Sequence, residues 1–202
     1  MPALEADHAM HHHDLSEASP WVKRWAGLIP AGGVVLDVAA GSGRHTRYFA
    51  RRGHAVEAVD RDAEALRAVA HEPGVTVRVA DLEEGPWPYA DRRFHGIVVT
   101  HYLHRPLFPR LIEALAEGGV LIYETFAVGN ERYGRPSNPN FLLQPGELLA
   151  AFGARLQVVA YESGRVAFPK MAIIQRLCAI RSLAPVDLDP APAAATVKED
   201  IP

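Results

Sequence analysis

Apolar residues in this chain fall into short runs separated by segments of helical period, the alternation expected of a parallel α/β sheet. Val34-Val35-Leu36 opens the first run, and Ala55 to Val59 forms the second. Val75 to Ala80, Ile97-Val98-Val99 and Val120 to Tyr123 follow, the fourth reading as a buried parallel strand. Leu156 to Tyr161 and Met171 to Ile180 come last, joined through Ser163-Gly164 and Pro169. So close a pair at the end of a parallel sheet implies one reversed strand.

Helices fill the intervals. Arg44 to Arg52 carries one, and Asp62 to His71 another, with Ala65, Leu66, Val69 and Ala70 inward and Pro73-Gly74 as its stop. Arg105 to Glu117 turns Leu107, Leu111, Ile112 and Leu115 inward until Gly118-Gly119, and Glu147 to Phe152 is a short helix. Ahead of the first strand, Ser19 is placed to cap a helix running to Ile29. Pro20 sits in its first turn, and Trp21, Val22, Trp25 and Leu28 lie on one face. That face packs on the sheet, and the helix also partly lids the ligand edge.

The most informative stretch is Val34 to Asp60. A strand bearing Asp37 runs into the small-residue turn Ala39-Ala40-Gly41-Ser42-Gly43, then a helix, then a second strand ending on Asp60. Strand, glycine turn, helix, strand and acid make half of a nucleotide-binding unit. Two features argue against a dinucleotide. The third glycine of G-x-G-x-x-G falls on Thr46, and the charge of Asp37 before the turn opposes a phosphate. A ligand carrying sulfonium and ammonium groups suits that carboxylate by Coulomb attraction. Asp60 is placed to accept hydrogen bonds from both hydroxyls of a ribose.

This stretch resembles the first motif of class I S-adenosylmethionine (SAM)-dependent methyltransferases, and the likeness continues downstream. Asp81-Leu82 resembles the acidic motif that reads the adenine amino group. PWPYADRRFHGIVVTHYLH resembles the fourth motif, and LAEGGVLIYETF the Gly-Gly turn and fifth strand. The resemblance covers roughly residues 20 to 182, and a tellurite-resistance or thiopurine-type small-molecule sub-group is its nearest flavour. It implies an α/β, Rossmann-like seven-stranded sheet, mostly parallel with one antiparallel strand and helices on both faces. It implies SAM as cofactor, with contacts from Asp37, Ala39, Gly41, Gly43, Asp60, Arg61, Asp81, Leu82 and Thr100. Two positions depart from the family pattern. Ala39 replaces the first glycine, read as a mild change, and His95 replaces the usual Asp before the fourth strand.

Composition fits an ordinary globular domain. The 202 residues are 49% hydrophobic and 22% charged, with a net charge of −3. That charge gives no global pull toward nucleic acid. No apolar run reaches the roughly 18 residues of a membrane span, and no signal peptide is visible, so the expected location is cytoplasmic. The single Cys178 excludes an internal disulfide framework. The expected organisation is a flexible segment over 1–18, a methyltransferase domain over 19–183 and a disordered tail over 184–202. The run His11-His12-His13 is read as tail sequence rather than a metal site, and no metal is expected.

Methyl transfer from a sulfonium is an in-line displacement that needs mainly alignment. A general base is needed only for a protonated acceptor. The catalytic candidates are His101 and Tyr102 after the fourth strand, with His104 read as packing. The acceptor candidates are Glu124, ending the fifth strand, and Arg132 and Tyr133. Those two lie in the loop AVGNERYGRPSNPNFLLQPG, which is longer than ordinary connections. Glu124 would bind a cationic acceptor or pair with a loop arginine. Thr100-His101-Tyr102-Leu103 lacks the Asn/Asp-Pro-Pro-aromatic pattern of enzymes that methylate base amines. Cys178 lies in a late strand, away from the place of a pyrimidine-attacking thiol. Arg44, Arg47, Arg51 and Arg52 read as a solvated helix face. The expected reaction is methylation of a small-molecule acceptor. A tRNA or protein acceptor, or a non-catalytic SAM-binding partner subunit, is the alternative, and oligomeric state is left open.

Overall fold

A seven-stranded sheet in the order β3-β2-β1-β4-β5-β7-β6 forms the frame of the molecule. The computed structural model describes residues 17–167 and 170–188. The strands are β1 (Val35–Val38), β2 (Val56–Asp60), β3 (Val75–Val79), β4 (Phe94–Thr100), β5 (Leu115–Phe126), β6 (Gln157–Val166) and β7 (Ala172–Ile180). Strands β1 to β5 pair in parallel, and β7 runs antiparallel to both β5 and β6. One reversed strand in a mostly parallel sheet is what the sequence pattern predicts.

The central strands are buried at every position but the half-buried His95, because helices cover both faces. These helices are α1 (Pro20–Trp25), α2 (Arg44–Ala50), α3 (Ala63–Leu66), α4 (Phe108–Ala114) and α5 (Glu147–Phe152). One core layer gathers Leu36, Phe94, Ile97, Leu111, Leu121, Tyr123 and Phe152. The other gathers Trp21, Val22, Phe49, Val98, Val120 and Ile122.

Four helices are shorter than the periodicity predicts: α1 tightens into a 3₁₀ turn over Ala26–Leu28, α2 ends at Ala50 rather than Arg52, and α3 and α4 fall further short. After Leu66 the α3 ladder gives way to tighter bonds, Ala68 N–H to Ala65 O and Val69 N–H to Leu66 O, so the segment to His71 continues as turns. Helix α4 stops at Ala114 rather than Glu117, with Leu115 already extended. Leu115 pairs with Phe94, and the ladder resumes at Gly96 with Val120, so residues 116–119 bulge out of register.

The predicted cap is present: Ser19 Oγ accepts the Trp21 N–H at 3.1 Å. The expected boundary at residue 18 falls where Ala18 is already buried. Residues 1–16, including His11-His12-His13, lie outside the described residues, as do 189–202. Within the expected tail, Ala184 N–H donates to Ser182 Oγ at 3.0 Å, and Val186 packs on the second core layer. No helix among the described residues is long and apolar enough to cross a membrane.

Candidate active site

The turn after β1 is built by left-handed backbone. Ala39, Gly41 and Gly43 have φ of 53°, 54° and 76°. At Gly43 a Cβ would lie 2.3 Å from Val69 Cγ1, so only glycine fits there. Ala39 is the costlier position, because an L-residue in this region loses about 1–2 kcal/mol. Its replacement of the family glycine is therefore less mild than the sequence suggests.

Asp60, ending β2, holds the turn from beside it. Its Oδ2 accepts the Gly41 N–H at 2.8 Å, and its Oδ1 accepts the Asp62 N–H at 2.9 Å. Each oxygen keeps one lone pair for a further donor. Asp81, after β3, accepts the Glu83 and Glu84 N–H groups on Oδ1, at 2.8 and 3.1 Å. Those bonds hold its carboxyl below the usual range, and Oδ2 is left for another partner.

These two acids, with Ala39, Arg61, Leu82 and Tyr102, line one cavity of about 200 Å³. The donor set fits a nucleoside: carboxylate acceptors for hydroxyl and amino groups, beside the apolar walls of Leu82 and the Tyr102 ring. A Cβ on Gly41 would meet no atom within 4 Å, so the turn leaves open space there. The residues present suit SAM.

Four expected cofactor contacts do not line this cavity: Gly41 and Gly43 of the turn, and Asp37 and Thr100, whose polar atoms are engaged elsewhere. Asp37 is 1% exposed and lines neither this cavity nor the larger one. Its Oδ2 accepts the Thr46 hydroxyl at 2.6 Å, and burial pushes its pKa up to about 6. It can act on a ligand through its field only, from behind the turn. Thr100 is turned to the buried His45, with its Oγ1 3.3 Å from Nδ1. His45 Nε2 accepts the Ser19 N–H at 3.2 Å, so the ring is neutral with Nδ1–H donating to Thr100. Burial holds the His45 pKa down at about 3.

A second cavity of about 210 Å³ opens on the other side of the β4 end. His101, Glu124, Phe126, Asn130, Tyr133 and Arg135 line it, together with Arg44, Lys170, Met171 and Arg176. His101 has φ of 55° and stacks on Phe126, with centroids 4.9 Å apart. Arg44 Nη2 lies 3.5 Å from His101 Nδ1. Partial enclosure, then the Arg44 charge, depress the His101 pKa, so the ring is neutral near pH 7. Tyr102, its neighbour, faces the acid-lined cavity instead, and burial raises its phenol pKa.

Glu124 is neither free nor paired with a loop arginine. Its Oε1 accepts the Ser19 hydroxyl at 2.8 Å, and its Oε2 lies 3.4 Å from Arg176 of β7. Arg176 is the register partner of both Glu124 and Glu162, and it bonds Glu162 at 2.5 Å, so three charges lie in a row across three strands. Arg132 is also misplaced by the sequence reading. It lies in the short turn Asn130–Arg132 and does not line the cavity, whereas Arg135, likewise exposed, does. Arg44 is the residue that the sequence misses: the first position of α2 points to the cavity, while Arg51 and Arg52 face solvent.

The long loop is pinned rather than loose. Asn130, 2% exposed, donates to Pro136 O at 3.1 Å and accepts the Ile173 N–H at 3.3 Å. At its far end Arg105 donates to Asn140 O, Leu142 O and Glu147. Cys178 is buried in β7, and burial pushes its thiol up to about 12, so it is no nucleophile.

Residues 35–119 match the model of the methyltransferase domain family. A curated relative, the probable ribosomal RNA small subunit methyltransferase A of Pyrobaculum aerophilum, is 35% identical over 119 residues, 54% of this chain. The chain spans about half the length of that relative, 51%. Among solved structures, TehB from Haemophilus influenzae superposes with a TM-score of 0.65 at 15% identity, covering 77% of this chain and 60% of that one. A SAM-dependent methyltransferase from Mesorhizobium loti gives 0.64 at 19% identity, covering 83% and 100%. The N-methyltransferase NodS from Bradyrhizobium japonicum gives 0.61 at 15% identity, covering 80% and 94%. These structures share the fold. Residues 35–119, which carry the glycine turn, Asp60 and Asp81, thus match a methyltransferase domain, and the fold around them is shared with SAM-dependent methyltransferases.

Proposed function

We propose that this chain is an enzyme that methylates a small-molecule acceptor by in-line displacement. The observation that carries the reading is that consecutive residues link the cavities: Tyr102 lines the acid-lined one, His101 the larger one, and both line a third of about 170 Å³ together with Thr125, Phe126 and Phe141. A donor on one side and an acceptor on the other would meet across this strand end. When bound, SAM supplies an electrophilic methyl on a sulfonium. Asp60 would hold the ribose and Asp81 Oδ2 the adenine amino group, with Leu82 and Tyr102 against the ring. His101, neutral near pH 7, would orient the acceptor and take its proton where one must leave. Alignment is the larger part of the catalysis, because such positioning is worth many powers of ten and the departing thioether needs no acid.

Transfer from isotope-labelled SAM into separated small-molecule, RNA and protein pools tests this reading. Label in the small-molecule pool supports it. Label in RNA would favour the second acceptor class, which the name of the archaeal relative motivates. Binding of SAM with no transfer to any pool would mark a non-catalytic subunit.

A further inference from the structure

Four cationic side chains line the larger cavity: Arg44, Arg135, Lys170 and Arg176. Two acids line it too, and both are taken. Glu124 is held by Ser19 and Arg176, and Glu17 pairs with Lys23 at 2.5 Å. Arg176 is matched by Glu124 and Glu162. The other three cations have no carboxylate within 4 Å among the described residues.

Two of those three stand together. Lys170 Nζ lies so close to Gly134 that a Cβ there would be 3.4 Å from it, and Arg135 is the next residue. Both are exposed at the rim, so water screens their mutual repulsion, and an anion placed between them is attracted by both. The lining also holds apolar side chains, Phe126, Met171 and Ile174, and Phe126 stacks on His101. A paired Glu124 is a poor counter-ion for a cationic ligand.

We infer that the acceptor is a small organic anion. Its carboxylate or equivalent oxyanion group lies on Arg135 and Lys170, and its apolar body lies along Phe126 and Met171. The atom to be methylated points toward His101 and Arg44. This rests on the methyltransferase reading and adds the charge and polarity of the acceptor to it.

The test uses the full chain saturated with S-adenosylhomocysteine, and three probes of one shape: phenylacetate, phenylacetamide and phenethylamine. Ligand-observed NMR titrations read the affinity of each. The acid is expected to bind roughly tenfold tighter than the amide or the amine. In Arg135→Ala/Lys170→Ala it should weaken by a similar factor, while S-adenosylhomocysteine affinity stays unchanged. Equal binding of the three probes, no binding of the acid, or undiminished binding by the double variant overturns the inference. Failure of S-adenosylhomocysteine to bind would instead bring down the underlying methyltransferase reading, and it is seen separately in the same titrations.

Discussion

The Thr46 hydroxyl of α2 donates to the buried Asp37 carboxylate of β1 at 2.6 Å. The residue that stands where a dinucleotide fold has its third glycine is thus a polar strut between helix and strand. Because burial raises the folded pKa of Asp37 to about 6, above its ordinary 3.8, the native state holds its proton more tightly than the unfolded chain. The associated stability is full below about pH 4 and is lost as pH rises through about 6, a change of about 3 kcal/mol. Asp37→Asn should flatten that slope. Thr46→Val should destabilise by about 1–3 kcal/mol, and more at about pH 8, where a charge is left short of a donor, than at about pH 5. Urea unfolding at the two pH values checks this, and the reverse order would contradict it.

Ala39 gives a stability prediction of the opposite sign. Its φ of 53° carries strain that glycine does not feel, while glycine adds entropy to the unfolded chain. The net of Ala39→Gly should be a gain of about 0.5–1 kcal/mol. A denaturation midpoint that falls would show that the Ala39 side chain makes compensating contacts.

Asp60 should matter twice to the cofactor. Asp60→Ala removes two acceptors for the ribose and frees the Gly41 N–H, so SAM affinity should fall by about 1–3 kcal/mol. Asp60→Asn keeps one acceptor oxygen and should lose less. Calorimetry with equal affinities for wild type and the alanine variant would remove Asp60 from the site.

Much of this was legible in the sequence. Buried parallel strands read as unbroken apolar runs, and the turn with its two flanking acids sits in one continuous stretch. What stayed hidden depends on contacts distant in sequence. The Glu124–Arg176 pair spans 52 positions and exists because β7 meets β5 in one antiparallel register. Arg44 and Arg52 look alike as a charge run, and only the packing of α2 turns the first to a cavity and the second to solvent. Arg132 and Arg135 are likewise chemically equivalent in the sequence. The short turn Asn130–Arg132, fixed by Asn130 reaching Pro136 and Ile173, decides between them.

That choice can be tested directly. Tyr133→Ala should impair transfer to an identified acceptor while SAM affinity holds. Arg132→Ala, at an exposed position, should leave both unchanged. Equal damage from the two would mean that the whole turn bears on the acceptor.

His101→Ala reports on the acceptor's own acidity. A nucleophile already deprotonated near neutral pH should lose less than about tenfold in rate, since orientation alone is affected. An alcohol or ammonium acceptor should lose roughly 10²–10⁴-fold. SAM affinity measured alongside separates a missing base from a disturbed strand end, because His101 occupies a left-handed position.

The reversed strand β7 splits the molecule by provenance. Everything that touches the acid-lined cavity comes from residues 39–102, and most of the other cavity comes from residues 124–176, contributed by β5, its long loop and β7. A hairpin added antiparallel at one flank can be reshaped at its turn or its edge without disturbing the ladder between β1 and β4. On the proposed assignment of the two cavities, such a layout would let acceptor preference drift under selection while donor recognition stays constant. Substitutions at Arg135 and Asp60 should accordingly have additive effects, each leaving the other's unchanged.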